Sequence, residues 1–193
     1  MSRPAFYIIN GITIYRILAA PVLIWLIYSG NLELFKWLLG ISFFTDLIDG
    51  FLARRFHVES VMGTRLDSIG DDLTILAGFI GMYFFKHTFF MEQLLWFYLL
   101  GGLFVIQTIM SFIRYGKTTS FHTVLAKTSA ILQGSFMLLL FFLPEPIYIL
   151  FYVTIACTGL ELFEEIVLTY ILKEWRANVK GLYWVVREKK LSS

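Results

Sequence analysis

The sequence predicts an all-α polytopic membrane protein with six transmembrane helices and cytoplasmic termini. The first observation is composition: the 193 residues are 58% hydrophobic and 16% charged, whereas typical soluble domains are about 25% charged. The second is aromatic content, because 20 Phe, 10 Tyr and 5 Trp suit a protein that faces lipid and its interface. The third is a set of six apolar stretches, each long enough to cross a bilayer, which takes about 20 helical residues.

Short turns separate the six stretches, and the positions of Lys and Arg predict their orientation. The stretches lie near residues 12–29, 35–54, 62–85, 93–113, 122–143 and 147–171. Of the basic residues, 14 fall at one predicted membrane face, and only Lys36 and Lys86 fall at the other. Basic residues favour the cytoplasmic face, so we expect the termini and most loops to be cytoplasmic.

We expect residues 1–193 to form a single membrane domain whose last part, residues 173–193, is a cytoplasmic interfacial tail. The tail mixes basic and aromatic residues around Lys180–Trp184. This mixture favours contact with an anionic inner leaflet. A solvated, partly disordered tail is the alternative.

Five aspartates fall inside the predicted membrane helices. Asp46 and Asp49 lie in the second helix, and Asp67, Asp71 and Asp72 lie in the third. A charge near the bilayer centre costs at least about 2.5–3.5 kcal/mol, so packing does not explain several of them. Residues three or four apart share a helix face. Since these helices are antiparallel neighbours, their two carboxylate pairs are expected to meet near the cytoplasmic end.

Four carboxylates brought close together repel one another and do not all stay ionised unaided. Divalent cations remove that conflict, because two of them balance four negative charges. Oxygen ligands suit Mg²⁺, Mn²⁺ or Ca²⁺ rather than zinc. The alternative is that the carboxylates form ion pairs with Arg54, Arg55 and Arg65, which leaves their regular spacing unexplained.

The residues from Asp46 to Asp71 follow the pattern D-x-x-D-G-x-x-A-R-x8-G-x3-D-x3-D at all eight defined positions. In this the chain resembles the CDP-alcohol phosphatidyltransferase family, which carries that signature in membrane helices. Asn10, Thr13 and Arg16 resemble the family's N-x-x-T-x-x-R element in the first helix. Arg16 fits equally well as the mark of a helix end. The resemblance also covers the six-helix plan, and therefore most of the chain.

The resemblance implies a metal-dependent transfer of the phosphatidyl group from CDP-diacylglycerol to a small alcohol, with release of CMP. Two Mg²⁺ or Mn²⁺ ions would be held by Asp46, Asp49, Asp67 and Asp71, and Asp71 would also be the general base. The expected CDP-lipid contacts are Asn10, Thr13, Gly50, Ala53, Arg54, Ser60 and Gly63. The resemblance also implies a homodimer in a bacterial inner membrane, with the active site facing the cytoplasm. No nucleic acid is expected as a partner.

Three cations on predicted cytoplasmic segments indicate the class of acceptor. Arg114, Lys117 and Lys127 would form an anion pocket, since Arg and Lys bind phosphate well. A phosphorylated acceptor, such as glycerol 3-phosphate or inositol phosphate, is therefore expected. Phosphatidylglycerophosphate synthases typically carry a G-K-x-K-T element. Residues 126–130 resemble this element only in its first Lys. If these cations are only topology signals, the acceptor is an unphosphorylated alcohol such as serine or inositol.

The sixth helix adds Glu161, Glu164 and Glu165. Acidic residues at that depth usually face a cavity or a cation. They are expected to pair with Arg114 or Lys127, or to contact acceptor hydroxyls; for Glu165 the alternative is simple proximity to the membrane interface. Two other classes of protein compete with the enzyme, namely an ion or solute transporter and a catalytically silent protein of the same fold.

Overall fold

The computed structural model describes the backbone of residues 3–56 and 61–192, and the side chains of residues 11, 14–45, 48, 70–188 and 190. Within those ranges the chain forms eight helices and no strand, which confirms the prediction of an all-α protein. The helices are α1 (Arg3–Tyr28), α2 (Leu32–Phe56), α3 (Val61–Phe85), α4 (His87–Glu92), α5 (Leu94–Tyr115), α6 (Val124–Phe142), α7 (Tyr148–Ile171) and α8 (Leu182–Ser192).

Each predicted stretch coincides with a long helix, and three features differ from the expectation. The first helix begins at Arg3 rather than near residue 12. A short helix, α4, replaces the turn expected after residue 86. The tail contains α8, which has only 11 residues and is rich in charge. Hydropathy detects helices that can cross a bilayer, so it does not detect short or polar ones.

Among the described residues, two helices are long and apolar enough to cross a membrane. By length and composition these are α5 and α6, and α1 contains a shorter apolar stretch, Ile14–Tyr28. The apolar side chains of α5 are widely exposed, and Ile113 is 81% exposed. Because water disfavours large exposed apolar surfaces, these features indicate a membrane protein. The full set of six spans stays a prediction.

The chain folds as two compact units. The first consists of Met1–Met91 and Leu140–Pro144. In it α1 packs against both α2 and α3, and α2 also packs against α3. The helices that carry the predicted aspartates therefore belong to one packed group of three.

An aromatic core stabilises this first unit. Phe35 is fully buried, and its ring centroid lies 5.2 Å from that of Phe85 and 5.0 Å from that of Phe141. Gly81 provides the space for it, since a Cβ at that position would clash with the Phe35 ring. Aromatic pairs at such distances contribute about 0.5–1.5 kcal/mol beyond the burial of their surface.

The second unit consists of Glu92–Leu139 and Glu145–Ser193. In it α5 packs along α7, and α8 packs against α7. The last turn of α5 is closed by Gly116, which has φ of 70° and donates its N–H to the Phe112 carbonyl oxygen at 2.9 Å. This left-handed conformation favours glycine. It turns the chain into the loop of residues 116–123, which precedes α6.

A buried cluster holds the end of the chain in place. We name it the C-terminal cluster. It consists of Phe121, Leu168, Leu172, Val179 and Val185. They come from the loop before α6, the end of α7 and the segment that includes α8. Burying one such side chain stabilises the folded protein by about 1.5–3 kcal/mol. The C-terminal segment is therefore packed onto the second unit rather than solvated along its whole length.

Candidate functional site

The predicted metal ligands lie on two helices of the first unit. Asp46 and Asp49 are in α2, and Asp67 and Asp71 are in α3. Their spacings of three and four residues place each pair on one face of its helix. The side chains of Asp46, Asp49 and Asp67 lie outside the described residues. The meeting of the four carboxylates therefore stays a prediction.

The Asp71 side chain is described, and it forms an ion pair with a buried arginine. Arg16, on α1, donates from Nη1 to Oδ1 of Asp71. The Arg16 side chain is 1% exposed and the Asp71 side chain is 36% exposed. Next to this ion pair, a Cβ built at Gly70 would lie 3.4 Å from the Arg16 Cβ, an ordinary van der Waals distance, so α1 and α3 pack closely here. A buried guanidinium thus orients the carboxylate that the sequence predicts as the base.

The adjacent carboxylate has a different environment. Asp72 is exposed, whereas Asp71 is half-buried against α1. One turn further along α3, the Thr74 hydroxyl donates to the Gly70 carbonyl oxygen at 2.8 Å. The face of α3 that packs on α1 therefore contains Gly70, Asp71 and Thr74, and Asp72 lies away from it.

The predicted CDP-lipid contacts cannot be compared with side-chain positions. Ser60 lies outside the described residues, and so do the side chains of Asn10, Thr13, Gly50, Ala53, Arg54 and Gly63. Among the described side chains, no three His, Cys, Asp or Glu residues form a group suited to a metal ion. Since three of the four predicted ligands are not among them, that finding does not test the metal prediction.

The second unit contains a polar network between α5, the 116–123 loop and α7. Gln107 is 4% exposed. Its Nε2 donates to Thr119 Oγ1 at 2.6 Å and to Glu165 Oε2 at 2.7 Å. The Thr119 hydroxyl donates to the same Glu165 oxygen at 2.9 Å. A buried amide that lacks partners is costly, so this network explains the presence of Gln107 in an apolar helix.

The sequence suggested Arg114 or Lys127 as partners of the glutamates on α7. In the described part of the chain, the partners of Glu165 are instead an amide and a hydroxyl. Glu164 Oε1 accepts a hydrogen bond from the backbone N–H of Leu182 at 2.8 Å. It therefore ties the first residue of α8 to α7. Glu161 is half-buried on the same helix.

The three predicted acceptor cations are exposed, and two of them contact the C-terminal segment. Arg114 Nε donates to the Leu172 carbonyl oxygen at 2.9 Å. Lys117 Nζ lies 3.7 Å from the centroid of the Trp175 ring, which is a close cation–π contact. Lys127 lies in the first turn of α6. The structure thus gives Arg114 and Lys117 a packing role that the sequence did not indicate.

Hydrogen bonds to backbone carbonyl oxygens extend this contact along the loop. Trp175 Nε1 donates to the Thr118 carbonyl oxygen at 3.1 Å. The Asn178 N–H donates to the Ser120 carbonyl oxygen at 3.1 Å. Residues 172–181 therefore run beside the 116–123 loop and hold it. A single Trp among charged residues was the available sequence signal for this contact.

Comparison with known proteins gives one family and several relatives. The family model for CDP-alcohol phosphatidyltransferase matches residues 6–162. A protein of Rickettsia bellii named CDP-diacylglycerol–glycerol-3-phosphate 3-phosphatidyltransferase is 30% identical over 128 residues, covering 64% of this chain and 68% of that protein. The protein of that name in Rickettsia typhi is 28% identical over 127 residues, covering 64% of this chain and 70% of that protein.

A relative with a different name, matched over a shorter stretch, comes from Schizosaccharomyces pombe. It is named a cardiolipin synthase (CMP-forming) and mitochondrial hydrolase fusion protein. The two sequences are 35% identical over 66 residues, which is 34% of this chain and 11% of the fusion protein. No solved structure shows a significant match to the chain.

Proposed function

Since the chain belongs to the CDP-alcohol phosphatidyltransferase family, we propose that it transfers the phosphatidyl group of CDP-diacylglycerol to glycerol 3-phosphate and releases CMP. Glycerol 3-phosphate is the acceptor named for the two rickettsial relatives. Such a reaction is a step of phospholipid synthesis. It fits a membrane protein because the donor is a lipid.

The observation that carries this proposal is the aspartate signature together with the environment of its last member. All eight defined positions are present between Asp46 and Asp71. Asp71 forms an ion pair with Arg16, which is buried and lies on another helix. A buried charge is retained at a cost, so a functional role for this pair is favoured over a packing role.

In the proposed reaction, Asp71 accepts the proton of the acceptor hydroxyl. The hydroxyl oxygen then forms a bond to the β-phosphorus of the CDP-lipid, and the bond from that phosphorus to the bridging oxygen breaks. CMP leaves with the bridging oxygen. Arg16 holds the Asp71 carboxylate in one orientation, which keeps the carboxylate in the geometry needed to accept the proton. A general base of this kind contributes about 10²–10⁴-fold to the rate.

We propose that Asp46, Asp49, Asp67 and Asp71 hold two Mg²⁺ or Mn²⁺ ions. The donor set consists of carboxylate oxygens alone, which fits these ions. When bound, they would supply positive charge to the pyrophosphate oxygens. The proposed CDP-lipid contacts remain Asn10, Thr13, Gly50, Ala53, Arg54, Ser60 and Gly63.

For the acceptor phosphate we propose Lys127, with Arg114 and Lys117 in supporting positions. Lys127 is exposed in the first turn of α6, and a lysine ammonium group binds phosphate well. Arg114 and Lys117 are exposed as well, although each also contacts the C-terminal segment. An acceptor that carries phosphate matches this excess of positive charge.

We further propose that α1, α2, α3, α5, α6 and α7 span a bacterial inner membrane, with the termini and the site on the cytoplasmic side. The length and apolarity of α5 and α6 support this, and so does the asymmetric distribution of Lys and Arg. A homodimer is proposed from the family resemblance.

A panel of acceptors tests the proposed reaction. Purified protein is incubated with CDP-diacylglycerol, Mg²⁺ and one acceptor at a time, and CMP is measured. The acceptors are glycerol 3-phosphate, inositol phosphate, serine, inositol and phosphatidylglycerol, the last because of the relative named as a cardiolipin synthase. We expect glycerol 3-phosphate to give the fastest release. If another alcohol is preferred, the acceptor assignment is wrong; ion or solute flux in proteoliposomes without CMP release would instead indicate a transporter.

A further inference from the structure

The last helix, α8, is attached to the second unit by one of its faces. Val185 is buried in the C-terminal cluster, and Leu182 packs against that cluster. The Leu182 backbone N–H also donates to Glu164 at 2.8 Å. The orientation of α8 on α7 is therefore set by a buried side chain and a hydrogen bond at its first residue.

The opposite face of α8 combines aromatic, aliphatic and basic side chains. Tyr183, Val186, Arg187 and Lys190 stand at positions i, i+3, i+4 and i+7, so they share one face. All four are exposed, and Tyr183 is 67% exposed. We name these four residues the basic aromatic face.

The acidic residue of α8 lies off this face. Glu188 is 5 positions after Tyr183 in the sequence, which places it about 140° away around the helix. Its Oε2 lies 3.6 Å from Arg176 Nη1 in the segment before α8. The basic aromatic face therefore contains two cationic residues and no carboxylate.

The location of α8 places this face near the end of a helix that is fit to cross a membrane. Tyr115 is the last residue of α5, and it packs against the C-terminal cluster. Its hydroxyl donates to the Leu172 carbonyl oxygen at 2.9 Å. Because α5 is long and apolar enough to span a bilayer, the cluster and α8 lie at the level where lipid headgroups begin.

We propose that the basic aromatic face binds the anionic headgroup surface of the bilayer. Aromatic rings favour this interfacial level, and each Arg or Lys near an anionic lipid surface strengthens binding about fivefold. A second copy of the chain fits the face less well, because two such faces would bring like charges together. This inference goes beyond the proposed function and does not depend on it.

Lipid quenching of a fluorescent label on full-length protein tests the proposal. In a Cys157→Ser background, which removes the single cysteine, Tyr183→Cys carries an environment-sensitive fluorophore. The protein is placed in nanodiscs of phosphatidylcholine with or without phosphatidylglycerol, prepared with and without brominated lipid. We expect strong quenching by brominated lipid in the anionic nanodiscs. A matched label at Glu188→Cys, which lies off the face, should be quenched much less.

Neutralising the two cations separates charge from simple proximity. Arg187→Gln combined with Lys190→Gln should lower the ratio of lipid-bound to lipid-free label about 30-fold in anionic nanodiscs. The label in phosphatidylcholine nanodiscs should change little. The variant is accepted as folded if its gel-filtration elution and Tm match those of the labelled parent. Since CMP release is a separate assay, failure of the proposed function would leave this result intact.

Three results would overturn the proposal. A label at residue 183 that is quenched by aqueous iodide and not by brominated lipid would show a solvated face. Self-quenching between two labelled copies in one nanodisc, relieved by dilution with unlabelled protein, would show contact between copies. Equal quenching with and without phosphatidylglycerol would show that anionic headgroups are not what the face binds.

Discussion

Replacing Arg16 with Met removes the positive charge beside Asp71 and keeps most of the side-chain volume. Arg16 is 1% exposed and donates to Asp71. A hydrogen bond between charged groups is worth about 1.5–3 kcal/mol, equivalent to roughly 10–150-fold. Because the Asp71 side chain is 36% exposed, solvent screens part of the interaction. We therefore expect kcat to fall about tenfold, near the lower end of that range.

The assay is steady-state CMP release with both substrates varied. Arg16 is proposed to position Asp71 without touching either substrate, so the KM values should change by less than about twofold while kcat falls. Arg16→Lys keeps the charge and should restore part of kcat. Lys36→Met is the matched control: it removes another ion pair of the first unit, with Glu33 at 2.7 Å, and should leave kcat unchanged.

Two results would contradict a positioning role for Arg16. An unchanged kcat in Arg16→Met would show that the ion pair does not matter to the reaction. A large rise in the KM for CDP-diacylglycerol with unchanged kcat would instead make Arg16 a substrate ligand. Gel filtration and Tm would show whether Arg16→Met fails to fold while Arg16→Lys folds. In that case the partial fall in kcat expected of Arg16→Lys would be the quantity that tests the role of Arg16.

Three other predictions follow from the described residues. Asp71→Asn should lower turnover by at least about 10²-fold while CDP-diacylglycerol still binds; Asp72→Asn, an exposed neighbour, should turn over normally, and equal losses in both would remove the special role of Asp71. Lys127→Ala should raise the KM for glycerol 3-phosphate about 10- to 150-fold and change the KM for CDP-diacylglycerol little. An unchanged KM for glycerol 3-phosphate would mean that Lys127 only helps to set the orientation of the chain in the membrane. Thr119→Val should lower the free energy of unfolding by about 1–3 kcal/mol, measured as a lower Tm in detergent, whereas Thr118→Val, whose hydroxyl is outside the network, should match the wild type.

The long helices could be predicted because each contains a long, largely apolar run, although among the described residues only α5 and α6 are apolar enough to span a membrane. The start of α1 could not be placed, since residues 3–11 mix polar and apolar types without a clear period. α4 has 6 residues and α8 has 11, which is too short for a hydropathy signal. Within residues 182–190, however, aromatic, aliphatic and basic side chains recur at helical spacing on one face, and this pattern can be recognised from the sequence alone.

For the site, the sequence predicted the residues that belong to the motif but not the residues that contact them from other helices. The spacing that ends at Asp71 identified the carboxylate, but its partner Arg16 is 55 residues away. Periodicity gives the face of one helix and not the helix that packs on it. Gln107 shows the same limit: a lone amide in an apolar helix requires a partner, yet Glu165, 58 residues away, emerged only from the packing of α5 on α7.

The Trp175 contact was unpredictable for a different reason. A cation–π pair between Lys117 and Trp175 depends on the path of two loops, and loops have no periodic signal. Charge composition alone assigned Lys117 to the acceptor. The structure adds a second role, because the same contact fixes the loop that carries Thr119.

We propose that this chain joins a phosphatidyl group to glycerol 3-phosphate and needs a divalent ion to do so. The most direct measurement follows radiolabelled glycerol 3-phosphate into the lipid extract, with CMP measured in the same reaction. With CDP-diacylglycerol and Mg²⁺ we expect label in the lipid phase and CMP in equal amounts. EDTA should stop both, and excess Mg²⁺ or Mn²⁺ should restore both. Label that stays in the aqueous phase in every condition, or full transfer in the presence of EDTA, would contradict the proposed metal-dependent transfer.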